Sequence, residues 1–416
     1  MKQTLRALAL LAACAGTPAF ADDSALNLPI GDPARKEKTA SLVLDAVTDA
    51  ATGDLLTPRE LAGRLKDVRL LFVGESHTSI EFHNAQLRVI QELVRAGREV
   101  LIGLEMYPYT EQAWLDKWNS GALDERAFVD ESAWYTNWGY HWNYYREIFL
   151  FARANKARLY AVNTPRDVVS TVRRKGFEGL SQEESAHMPA RIDTDNAEHL
   201  RLFKAFFTDD DSMHSSGMSE EQWQGMFRAQ CTWDATMGYN ALQALQKNAG
   251  KDAIMVVLIG AGHVAYGLGA ERQARLWFDG KIASVIPIPI RDAKDRAVTV
   301  RASYANFIWG LPRERDPLYP PLGVSTPEQK KGEYFSVLAV AKESVGAAAG
   351  FQVGDELVSM DGVPLTERGT RRRLMADKRW GDSADFQVRR KGEALVLRAL
   401  FRRSEEDAKE AEKPKS

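Results

Sequence analysis

Val68-Arg69-Leu70-Leu71-Phe72-Val73, followed at once by Gly74-Glu75-Ser76-His77, decides how this chain folds. Its apolar residues are nearly continuous instead of alternating, as a strand covered on both faces requires. Next, Thr78-Ser79-Ile80-Glu81 has the spacing of a capping box, in which a hydroxyl and a carboxylate three residues on satisfy free backbone N–H groups at a helix start. Leu87, Ile90, Leu93 and Val94 then recur at helical spacing, and Gly97 supplies the stop. Val100-Leu101-Ile102-Gly103-Leu104 is a second apolar run, so strand, helix and strand make a parallel crossover. Leu159-Tyr160-Ala161-Val162 and Ile254-Met255-Val256-Val257-Leu258-Ile259 are two further strands, and the stretch from Ser181 to Asn248 between them reads as helical. The expected architecture over residues 40–310 is α/β: a mostly parallel sheet flanked by helices, with an inserted helical region.

Each apolar run ends in polar residues: Glu75 and His77 after the first, Glu105 after the second, Asn163 and Arg166 after the third, His263 after the fourth. In a parallel sheet all carboxyl ends lie on one edge, where open α/β proteins place their sites. Glu75, His77, Glu105, Asn163, Arg166 and His263 are therefore the candidate binding residues. Any one of them is also explained by the ordinary preference for polar residues at strand ends; recurrence at four ends is what marks a site. Glu75 and His77 share a face in extended backbone, and a carboxylate with an imidazole can hold a divalent ion or pass protons. His83, on the following helix, is either turned back toward His77 or structural. Gly74 and Gly262 permit close backbone approach to a ligand, or simply a tight turn.

A chain of 416 residues exceeds one ordinary core, so two folded domains are expected. The net charge of -2, with no long basic run, argues against a nucleic-acid partner. Lys2 and Arg6 precede Ala7 to Ala13, an apolar run too short to span a bilayer, and this reads as an export signal. Ala19-Phe20-Ala21 before Asp22 fits ordinary cleavage, which makes residues 1–21 the signal peptide. Leu11-Ala12-Ala13-Cys14 fits a lipobox, which places a lipid anchor on Cys14. Both readings stand, and both send the chain to the periplasm or envelope, the second as an outer-membrane lipoprotein. Cys231 is the other cysteine, read as a buried small hydrophobe, so no internal disulfide is expected. Residues 22–39 read as a linker and residues 404–416 as a disordered charged tail.

The strand-end residues, with His83, Gln86, Gln230, Trp233-Asp234, Met237 and Gly262-His263, occur in an order that resembles the ChaN-like haem-binding uptake proteins of the Tiki-like superfamily. Many relatives have paired histidines where this chain has Phe82-His83, and His214 to Met218 resembles a family His-Gly-Met element. The resemblance implies haem as the ligand and a role in iron acquisition. Five tryptophans, Trp114, Trp118, Trp134, Trp138 and Trp142, lie between the second and third strands with tyrosines interleaved. A porphyrin needs flat apolar walls, axial ligands and cations for its propionates. Tyr107, His141 and Tyr144 are the candidate ligands, and Arg146 or Arg166 the propionate partner. The other reading of this segment is a tryptophan-rich helical core with tyrosines at its wet edge. The superfamily also implies a second function, a metal-dependent hydrolase or peptidase in which Glu75, His77, Glu105 and His263 hold a divalent ion. The His-Glu-x-x-His spacing of common zinc peptidases is absent.

After Pro312 to Pro321 the pattern changes to short alternating strands. Leu322-Gly323-Val324, Phe335 to Val340, Ala347 to Phe351, Val353 to Val358 and Met360-Asp361-Gly362 together resemble a bacterial PDZ domain over residues 320–403, a small β-rich α+β fold. The resemblance implies capture of a protein's C-terminal peptide by strand addition, near Leu322-Gly323-Val324. The alternatives are a PDZ fold kept for packing or for homodimer contact, and a non-catalytic scaffold acting through the groove.

Overall fold

The computed structural model describes residues 23–206, 218–248, 250, 252–314, 316–326, 334–367 and 369–403. Its main sheet has eight strands: β1 (Val47–Asp49), β2 (Leu55–Leu56), β3 (Val68–Glu75), β4 (Val100–Pro108), β5 (Arg158–Asn163), β6 (Ile254–Gly260), β7 (Lys281–Pro289) and β8 (Phe307–Leu311). Their order is β2-β1-β8-β7-β3-β6-β4-β5, parallel from β8 to β5, with β1 and β2 antiparallel at one edge. All four apolar runs seen in the sequence are strands of this sheet, three of them inside it and the third run at its edge as β5.

Alternate residues of these strands feed two cores, because successive side chains leave opposite faces. Leu71, Val73, Ile102 and Leu104 pack under α1 (Ile80–Arg95), which contributes Phe82, Val89, Ile90 and Leu93. Leu70, Phe72, Leu101 and Met255 pack on the other face under Met237, Ala241, Leu242 and Leu245 of the long helix Glu220–Asn248. The α1 start differs from the capping-box expectation. Ser79 is the cap residue and makes no side-chain cap bond; the Ile80 N–H donates instead to Glu314 Oε1, 3.1 Å away, from beyond the last sheet strand. At its other end the chain leaves through Gly97 at φ 78, as expected.

Two further expectations change. The described part of the 22–39 segment is packed structure and not a linker: Ala25 is buried, Leu26 and Ile30 join the second core, and Arg35 donates to the carbonyls of Ala302 and Ala305. The tryptophan-rich segment is a core. Trp118, Trp134, Trp142, Phe128 and Phe149 are buried against one another, with ring centroids 4.8–6.1 Å apart. The indole N–H groups of Trp118 and Trp134 donate to the carbonyls of Phe149 and Tyr140. Residues 1–22, where an export signal with Cys14 is expected, and residues 404–416, where a charged tail is expected, lie outside the described residues.

The C-terminal part builds a sheet from β10 (Phe335–Ser336), β12 (Glu356–Met360), β13 (Val363–Pro364), β14 (Ser383–Arg390) and β15 (Glu393–Leu400), with β9 (Val324–Ser325) paired to β11 (Ala339–Val340). Val337, Leu357, Met360, Phe386 and Phe401 fill its own core. Its helix Thr370–Ala376 docks on the large domain's helix Trp134–Asn137. Gly369 permits this: a Cβ there would lie 2.6 Å from Thr136 Oγ1. Arg373 pairs with Asp130, and His141 Nε2 donates to the Ala376 carbonyl at 2.9 Å.

Because Trp134 is fully buried among rings, Trp134→Ala is expected to lower unfolding stability in urea by about 3–5 kcal/mol. A loss below about 1 kcal/mol would contradict its place in the core.

Candidate functional site

The parallel register brings the strand ends together. Glu75 at the end of β3 lies opposite Gly260 at the end of β6, and Leu104 of β4 lies opposite Leu258. Glu105, one residue on, thus reaches Gly260, whose N–H donates to Glu105 Oε2 at 2.6 Å. His77 follows β3 by two residues, and His263 ends the single turn Ala261–His263 after β6. Glu75, His77 and Glu105 each offer a ligand atom within 4.8 Å of one another, and His263 Nε2 is 3.7 Å from Glu105 Oε1.

Both imidazoles are held by carboxylates at their Nδ1 atoms. His77 Nδ1 lies 2.6 Å from Glu75 Oε1, and His263 Nδ1 lies 2.6 Å from Asp234 Oδ1. Glu75 is gripped further by the Tyr145 hydroxyl at 2.8 Å and the Gln86 amide at 3.0 Å, with His83 Nδ1 3.4 Å away. Burial opposes ionisation of Glu75, but His83, His77 and Tyr145 outweigh it and hold its carboxyl down to about 2. Burial also opposes the charge on His77 and His263. Glu75 and Asp234 overcome it, and both imidazoles rise above their ordinary value. His199, buried on the far side of Asp234 with Nε2 3.5 Å from Oδ2, is pushed by burial down to about 4.

Gly260 leaves a space between these groups. A Cβ there would lie 3.5 Å from His77 Nε2 and 3.6 Å from Glu105 Oε2. Aromatic rings line the approach: Trp138 meets His77 edge-on at 4.9 Å, Tyr140 lies 4.6 Å from it, and Trp233 meets His263 at 6.3 Å. The site thus offers two anchored imidazoles, a buried carboxylate and an aromatic wall. Gly74 serves packing instead, since a Cβ would crowd Ala261 and Ile286 at 3.2–3.3 Å.

Asn163 and Arg166 stand behind this centre. The Asn163 amide donates to the Glu105 carbonyl at 2.8 Å and so fixes the turn out of β4, while Arg166 donates to the Asn137 carbonyl, next to Trp138. The remaining candidates are placed elsewhere. Tyr107 is fully buried with its hydroxyl bonded to Ser132, and Tyr144 is buried with its hydroxyl accepting the Tyr319 N–H. His141 stacks on Tyr319 at 3.5 Å where the C-terminal domain docks, and Arg146 pairs with Glu125 and Glu147. Core packing thus occupies Tyr107 and Tyr144, domain docking His141, and surface ion pairs Arg146. His214 lies outside the described residues. Sequence reasoning missed Tyr145 as a partner of Glu75, and no spacing reveals it. The Asp234 contact to His263 had a signal: Gln230 and Asp234 are four apart on one helix face, and both reach His263 Nδ1. Asp234→Asn is therefore expected to lower the pH at which His263 titrates in histidine-resolved NMR; an unchanged titration would remove the anchoring role.

The haem-binding uptake, Tiki superfamily, ChaN family model matches residues 61–273, and a PDZ domain model matches residues 320–399. Among curated proteins, Reticulata-related 5, chloroplastic, of Arabidopsis thaliana is 23% identical over 217 residues, 49% of this chain and 28% of that protein. The chain thus spans under a third of that relative's length. Among solved structures, the chain is similar to ChaN of Campylobacter jejuni, described with cofacial haem binding, at 15% identity and TM-score 0.49, covering 63% of this chain and 95% of the other. The HtrA-type protease AlgW with a decapeptide matches at 21% identity and TM-score 0.17, covering 19% and 27%. With its family model spanning just over half of its length, the chain belongs to the haem-binding uptake, Tiki superfamily, ChaN family and carries a C-terminal PDZ domain.

Proposed function

We propose that the chain binds haem as cargo at the strand-end rim, with His77 as the imidazole offered to the iron. The observation that carries this reading is the anchoring of His77 Nδ1 by the buried Glu75, with Nε2 facing the space over Gly260. An axial histidine is held in this way, its second nitrogen on a carboxylate that fixes ring orientation and raises basicity. Trp138 and Tyr140 supply flat surface beside it, and Arg166, exposed at the start of its helix, is the cation for a propionate. Bound haem supplies the iron and the pigment; the chain's residues hold and orient it. The export signal, with or without a lipid on Cys14, suits a role in haem and iron uptake at the envelope. The PDZ domain adds capture of a partner's C-terminal peptide to this role.

The close donor set of Glu75, His77 and Glu105 favours a second reading, a divalent ion held at the same point. His77 Nε2 and Glu105 Oε2 face the space a single ion needs, and such an ion would activate water for hydrolysis.

Hemin titration of the full chain decides between them. Saturable binding with a shifted Soret band is expected, the band moving in His77→Ala and affinity falling about 10–100-fold in Glu75→Gln. Absence of saturable binding at micromolar hemin sinks the haem reading. A stoichiometric divalent ion, lost in Glu105→Ala with His77→Ala, supports the second reading, and a protein that is metal-free and takes up no added ion removes it.

A further inference from the structure

The aromatic wall of the rim has no regular backbone of its own. Residues 138–141, which carry Trp138 and Tyr140, belong to no helix or strand. Both rings meet His77, at 4.9 and 4.6 Å, and they lie 5.3 Å from each other. The large domain holds this stretch at its ends, through buried Trp134 and Trp142 and through the bond from the Trp134 indole to the Tyr140 carbonyl. Irregular backbone keeps one conformation only as far as its contacts impose it.

The residues that alternate with the two rings meet the C-terminal domain. Gly139 lies under the Arg372 guanidinium, whose Cζ would be 3.1 Å from a Cβ at that glycine. His141 donates from Nε2 to the Ala376 carbonyl at 2.9 Å and accepts the Asn143 N–H on Nδ1 at 3.0 Å, so both ring nitrogens are committed. Its ring stacks on Tyr319, with the two planes 4° apart. Tyr319 belongs to the segment that joins the domains. Its hydroxyl accepts from the Asn143 amide at 2.8 Å, and the Arg379 guanidinium lies over its ring at 4.8 Å. Glu314, earlier in the same segment, accepts the Ile80 N–H three residues after His77. The joining segment thus holds both the wall and the loop that carries His77.

We infer that the docked C-terminal domain braces the rim, with Tyr319 and the helix Thr370–Ala376 as positioning groups that keep Trp138 and Tyr140 against His77. A guest at the rim is then retained only while the domain is docked, and by reciprocity the guest tightens docking. Retention of a guest rests on the haem reading above; bracing of the wall does not.

The test uses the full chain and Tyr319→Ala, a change in neither the rim nor either domain's central core. Small-angle X-ray scattering reads docking, and histidine-resolved NMR reads the wall, because the His77 ring protons carry the ring-current shifts of Trp138 and Tyr140. Tyr319→Ala is expected to have a larger radius of gyration, a displaced His77 resonance and hemin affinity lower by about tenfold or more. Unchanged His199 and His263 resonances would show that the large domain is still folded. Saturating hemin is expected to restore the smaller radius, and Tyr319→Phe, which keeps the stack, to behave as wild type. If Tyr319→Ala stays compact, Arg373→Glu is added to oppose Asp130 and the same quantities are read. An expanded chain whose His77 resonance and hemin affinity match wild type would overturn the inference. So would a double variant that stays compact with His77 unchanged. If wild type takes up no hemin, the haem reading fails alone, and the His77 resonance still decides whether the wall is braced.

Discussion

The large domain depends on one buried carboxylate. Glu75 ends the central strand β3 with its side chain out of solvent, and four side chains converge on it: His77, His83, Gln86 and Tyr145. An ionised carboxylate in that position is tolerable only when it is fully partnered, because its desolvation must be offset by nearby charge and hydrogen bonds. The partners come from the strand-end loop, from α1 and from the aromatic segment. Meeting the needs of one group therefore fixes how three pieces of chain sit over the sheet.

Asp234 repeats this arrangement on the opposite side. It is fully buried on the long helix, between His263 and His199, and it orients His263 as Glu75 orients His77. Glu105 lies between the two imidazoles, tied to the Gly260 N–H. The result is a rim whose polar atoms are held from behind, with Gly260 keeping the space between them open. Rigid support of this kind is what a site for a bound group requires.

How far the sequence foretold this can be argued residue by residue. Continuous apolar runs located β3, β4, β5 and β6, and parallel topology then placed Glu75, His77, Glu105 and His263 on one edge without any contact being known. β7 and β8 were missed because Pro287, Pro289 and Gly310 interrupt their apolar character, although all three are accommodated within the strands. Thr78 and Glu81 matched a capping pattern, but the helix starts after Ser79, and Glu314 supplies the bond to Ile80 from more than two hundred residues away, which no local pattern encodes. The same holds for Tyr145 and for His141. A tyrosine in an aromatic stretch can face a porphyrin, a core or a buried acid, and composition does not choose between them. Leu26 and Ile30 looked like a linker because two apolar residues among charged ones show no period, yet each fills a place in the second core.

The account stands on Glu75 being charged in the folded protein at every pH where the site is intact, and carboxyl-carbon NMR of glutamate-labelled protein reads this directly. The Glu75 resonance, assigned by its loss in Glu75→Gln, should stay at its ionised position as acid is added and move only as pH approaches about 2. A resonance that titrates at or above the ordinary range near 4.3 would show that the carboxyl is not the anchor of His77, and the site built on it would not hold.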